Sequence, residues 1–316
     1  MEKQNAKFAF FYLLSLVTLV FTALATGVII FQIINKIVAD ELSLAPGGFS
    51  QDALRLAISA IIIAAPIYFV MMWLINKNLL TGRMEREAGV RRWLTYFILL
   101  VSAVVMIGWF IATIGSFLNG ELTLKFILKS LTSILISALI FSFYLYDVRR
   151  EDVSKNNNLV RIYFYGSIAI VAIALAASFF FIDSPLVVRA QKFDQAIINK
   201  FSQADYAINA YYGENKKLPA DLNALINGGS TYYILASDIT DPTTGKIIEY
   251  KTTGKDSYEL CATFKTANKD QASNKFADKS VYVDTRWLHN SGYQCLKQRV
   301  ALLDNTKPAP ISVPVR

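Results

Sequence analysis

The chain has 316 residues, 54% of them hydrophobic, a formal charge of +8, one histidine and two cysteines. Its mean hydropathy of +0.37 excludes an ordinary soluble protein, and the length leaves room for two domains. The positive charge does not point to nucleic acid: it is spread over both halves of the chain without a dense basic stripe.

The apolar residues gather in five runs, at 8–38, 53–76, 93–118, 122–146 and 160–182. Each is long enough to cross a hydrocarbon core about 30 Å thick, and no comparable run follows Asp183. The first run has a basic start and an Ala23-Leu24-Ala25 triplet like a signal-peptidase site, but it continues through "VIIFQII". We expect an uncleaved first helix. Basic residues of short loops collect on the cytoplasmic side. Lys3 and Lys7, the second connection (Lys77, Arg83, Arg86, Arg91, Arg92) and the fourth (Arg149, Arg150, Lys155, Arg161) share one side, against Lys36, Arg55, Lys125 and Lys129 on the other. The expectation is a bacterial inner-membrane protein with its N-terminus inside and everything after Asp183 outside.

Within the bundle, Asn119-Gly120 forces a tight hairpin between the third and fourth helices. Ser15, Thr18, Thr22 and Thr26, and Ser130, Ser133 and Ser137, recur at helical spacing and read as packing seams. Lys125 and Lys129, with Glu121 a turn earlier, form a possible intramembrane polar site, by snorkelling, by pairing or by meeting an anion or headgroup. Asp147 beside Arg149 and Arg150 reads as an inner-interface pair. The runs contain no His or Cys and no mid-membrane carboxylate, so neither a haem site, a thiolate metal site nor a carboxylate proton relay is expected.

The stretches "FQIIN", "RRWLTYFILL" and "NGELTLKF" carry a resemblance to a four-helix bacterial membrane domain of unknown function, covering about residues 5–150. The resemblance implies an architecture and no site residues. A cytoplasmic loop and fifth helix (151–183) follow.

From 184 to 304 the pattern is that of a small α+β domain. Phe193, Ile197, Phe201, Ala204, Ile208 and Tyr211 step along one face of a helix, which Gly213 and Asn215 can stop. Pro219 can open a short helix, "DPTTG" is a turn, and "KIIEYKTTGKDSYELCATF" reads as a hairpin. Residues 187–264 resemble the globular part of type IV pilins and type II secretion pseudopilins. The fifth helix lacks the prepilin leader and its carboxylate, so the resemblance extends to the fold alone. Residues 265–280 read as a mobile loop and 305–316 as a Pro-rich disordered tail.

Cys261 and Cys295, 34 positions apart in a domain expected outside, fit one disulfide. Trp287, His289 and Tyr293 form a possible recognition surface. A lone histidine builds no catalytic dyad and two cysteines no metal site, so we expect no enzyme, cofactor or metal. The reading is a five-helix α-helical polytopic membrane domain displaying a disulfide-stabilised, pilin-like α+β domain. Its partners are the lipid bilayer and an envelope, secretion or pilus-related protein, not nucleic acid. The alternative is a transporter, channel or lipid-handling protein using the bundle; the oligomeric state stays open.

Overall fold

The structure is a computed structural model, and it describes residues 2–38, 48–81, 89–149, 158–226, 234–269 and 285–300. The chain divides into two units, one running to Ile182 and the other beginning at Asp183. The expected mobile loop beyond 269 and the Pro-rich tail lie outside the described residues.

The first unit holds five helices: α1 (Glu2–Ile37), α2 (Gln51–Leu80), α3 (Gly89–Leu118), α4 (Leu124–Arg149) and α5 (Asn158–Ser178). All five are long and apolar enough to cross a membrane. Leu56, Ile111 and Leu118 stand largely exposed on their outer faces, as side chains that meet lipid do. Ile29, Leu54 and Ile61 are buried where α1 packs on α2. Pro66 sits inside α2, a position that membrane helices tolerate. The hairpin at Asn119-Gly120 closes as expected: Gly120 takes a φ of +71°, and Glu121 N–H donates to the Ser116 carbonyl (2.9 Å). The small-residue seam of α1 is a packing seam. Ser15, Thr18, Thr22 and Thr26 are buried, and each hydroxyl donates to a carbonyl of its own helix.

The second unit begins with α6 (Pro185–Asn215), capped by Ser184, whose Oγ accepts from Val187 N–H. The helix runs past Gly213 and stops at Lys216, which adopts the left-handed conformation (φ 54°); Gly213 is not its stop. After Pro219, the short helix is a 3₁₀ turn at Leu222–Leu225 capped by Asp221. In "DPTTG", Asp241 Oδ1 accepts from Thr243 N–H (2.7 Å) and Gly245 supplies the positive φ. Strands β1 (Glu249–Thr252), β2 (Ser257–Phe264) and β3 (Gly292–Arg299) form an antiparallel sheet in the order β1-β2-β3.

The inner row of β2, Tyr258, Leu260, Ala262 and Phe264, is buried together with Ile197, Phe201, Ala204 and Ile208 of α6. Each large side chain removed from water there contributes about 1.5–3 kcal/mol. Two carboxylates share the apolar stripe of α6. Asp194 accepts from Lys265 N–H (2.8 Å), Thr266 N–H (2.7 Å) and Thr266 Oγ1–H (2.6 Å). Asp205 accepts from the Tyr258 hydroxyl and from Arg286 Nη1 (3.0 Å). Burial, and then Asp205, hold the Tyr258 hydroxyl well above its ordinary value, so it remains a donor. The first residues of the expected loop, Lys265 and Thr266, are therefore tied to the helix rather than loose.

His289 lies in this core, 1% exposed and stacked on Phe264 at 3.8 Å. Burial pushes its imidazole below the ordinary 6.5. The fold thus holds it neutral, while an unfolded chain takes up a proton as pH falls through about 6.5. The unfolded state then binds more protons, so stability is complete above that pH and declines towards the lowered folded value. Glu249 and Asp256 are held below their usual carboxylate values by Lys251 and Arg299 respectively, so their contributions are lost only at lower pH. Denaturant titration of the second unit should give a lower midpoint at pH 5.5 than at 7.5, and His289→Gln should abolish the difference.

Candidate functional site

The expected recognition surface does not assemble. Trp287 is 1% exposed, packed against Phe201 at 5.6 Å. Asn268 fixes the 287–289 segment through Nδ2–H to the Trp287 carbonyl (3.1 Å) and by accepting from His289 N–H (2.7 Å). Tyr293 is exposed, but strand alternation turns it to the outer face of the sheet. Two of the three residues are core, and the third faces away from them.

That outer face carries the cysteines. Cys261 and Cys295 stand directly opposite each other in the β2–β3 register, and their Sγ atoms lie 2.11 Å apart in a disulfide. Tyr293 hydroxyl sits 3.6 Å from Cys295 Sγ and donates to Glu249, which also pairs with Lys251 (2.8 Å). These contacts cover the bridge, and Cys261 is 3% exposed although it belongs to the solvent face. A Glu259 carboxylate oxygen lies within 4.8 Å of both sulfurs, but neither sulfur of a disulfide is a thiolate, so the trio is not a metal centre.

In the helical unit, α4 starts at Leu124, so Glu121 belongs to the preceding turn and not to a helical face with Lys125 and Lys129. Lys129 Nζ stands 5.9 Å above the ring of Phe31, whose edge meets Trp109 at 5.8 Å. None of Glu121, Lys125 and Lys129 lines the cavity of this unit.

That cavity, about 360 Å³, opens among all five helices and falls within the range of roughly 300–1,000 Å³ typical of small-molecule sites. Its lining runs along α1 from Tyr12 to Thr26. One end is polar. It gathers Tyr12 from the start of α1, Asn76 from the end of α2, Arg91 from the start of α3, Asp147 from the end of α4 and Arg161 from the start of α5. Alternating helix direction brings these ends together. Arg91 Nη2 meets Asp147 Oδ2 at 2.8 Å, with side chains 7% and 18% exposed. Asp147 therefore pairs across the bundle with Arg91 of α3, a partner not expected from the sequence, and the expected partner Arg150 lies outside the described residues. Each charge also opposes its helix dipole, a cation at an N-terminus and an anion at a C-terminus, so the pair relieves two unfavourable placements. Tyr68 and Tyr144, both buried, line the cavity as well. Towards the other end the lining includes Leu19, Ile140, Ile170 and Val171, and its Ser15, Thr22 and Thr26 hydroxyls are already committed to their own backbone.

The sequence contains each of these residues but no signal that unites them, because Arg91 and Asp147 are 56 positions apart. Removing one partner leaves the other charge buried, so Arg91→Gln or Asp147→Asn should each lower stability by about 3 kcal/mol. The joint replacement Arg91→Met with Asp147→Leu should recover most of that loss. Unfolding of the detergent-solubilised protein checks this; a double variant no better than the singles would contradict it.

Residues 9–144 match the model of a family described as a domain of unknown function, DUF5671. The match covers α1, α2, α3 and most of α4, and stops before Asp147, α5 and the second unit. No curated protein and no solved structure matches the chain.

Proposed function

We propose that the helical unit anchors the chain in a bacterial inner membrane and presents the second unit on the outer side, for binding or envelope assembly, without catalysis of its own. The Cys261–Cys295 bridge carries this reading, because such bonds persist in oxidising compartments and are rare in the cytosol. By loop closure, a bridge across 34 positions stabilises by roughly 3–4 kcal/mol, a contribution available only outside the cytoplasm. The loop charges argue for the same orientation, with the polar end of the cavity inside.

The long helix on a three-stranded antiparallel sheet supports the pilin-like reading, and with it a pilus-related or secretion-related partner. With Trp287 and His289 in the core, exposed side chains suited to recognition include Tyr206, 69% exposed on α6, and Leu235, 47% exposed. Both stand near a shallow depression lined by Ser202, Gln203, Ile234 and Asp238. A photo-cross-linking residue at position 206, in native membranes, should yield a discrete adduct of higher mass. Failure to form any adduct there and at position 235 would count against display for binding.

A further inference from the structure

We propose that the cavity of the helical unit holds one anionic membrane phospholipid, its headgroup at the Arg91–Arg161 end and an acyl chain along the α1 wall. The inference does not depend on the second unit being displayed for binding. Among the described residues, the charges of the lining are two arginines against one aspartate. Asp147 already meets Arg91 at 2.8 Å, so among the described residues Arg161 supplies the mouth's excess positive charge. A positive, partly exposed mouth at the end of membrane helices lies at headgroup depth, where a phosphate oxygen accepts charge-assisted hydrogen bonds from a guanidinium.

Beyond the mouth the chemistry changes. The Thr22 and Thr26 hydroxyls donate to the carbonyls of Thr18 and Thr22, at 2.7 Å each, so this wall offers a polar solute no free donor. An anionic group entering there would lose its hydration with no donor to replace it. A hydrocarbon chain has nothing to lose, and each buried methylene adds about 0.8 kcal/mol. From Tyr12 to Thr26 the α1 wall extends about 21 Å at 1.5 Å per residue, enough for an acyl chain running inward from the interface.

The test is native mass spectrometry of the full-length protein in detergent, offered equal amounts of palmitoyl-oleoyl phosphatidylglycerol and palmitoyl-oleoyl phosphatidylcholine. The two lipids differ only in headgroup. The wild-type protein should retain one phosphatidylglycerol in about tenfold preference. Arg161→Gln, at an exposed position, should retain both lipids equally. Ala23→Phe and Ser167→Phe, made separately so that misfolding of one does not decide the matter, should lose the retained lipid while keeping the wild-type helical content by circular dichroism. Equal retention of the two lipids by the wild-type protein would overturn the proposal, as would retention that survives both cavity-filling substitutions.

Discussion

Inside hydrocarbon no water is available to a carbonyl or a hydroxyl, so every polar group of a membrane helix must close its hydrogen bonds within the chain. The helical unit follows from this constraint. Ser15, Thr18, Thr22 and Thr26 give α1 a narrow, hydroxyl-bearing face, and each hydroxyl turns back onto its own helix. A row that looks polar in the sequence is thereby a packing surface and an apolar wall. Among the described residues, full charges line the cavity only where the helices end, and the most buried of them, Arg91, is matched by Asp147.

The second unit faces a different problem. A helix and three short strands enclose a small core, and such domains need additional ties. Here the ties are placed on both faces of one sheet. On the inner face, Asp194 and Asp205 bind the start of the 265–269 segment, Tyr258 and Arg286 to α6. On the outer face, the bridge between Cys261 and Cys295 joins β2 to β3 under the cover of Tyr293 and Glu249. The strand "SYELCATF" is the element both sets share.

Much of this architecture is legible from local properties. Helix length and hydropathy are set within one segment, and the five spans follow from them. The alternation in β2 and the stripe on α6 are equally local. What escapes a reading of the sequence depends on tertiary register. Trp287 and His289 sit among polar neighbours and look like surface, yet the Asn268 clamp and the packing of Phe264 and Phe201 bury them. The two aspartates of α6 interrupt an apolar stripe and carry no local sign that each has backbone, hydroxyl or guanidinium partners waiting. The cavity is hidden for the same reason. Its polar end is assembled from five helix ends, whereas Lys125 and Lys129, the conspicuous charges, lie near the start of α4 and outside it.

The proposed topology puts the basic connections of the helical unit inside and the disulfide-bonded unit outside. Alkylation of intact cells with a membrane-impermeant thiol reagent, before and after reduction, addresses it directly. The account predicts no labelling of Cys261 or Cys295 until the bridge is reduced, and then labelling without permeabilisation. Labelling that requires permeabilisation would contradict the orientation, and labelling before reduction would contradict the bridge.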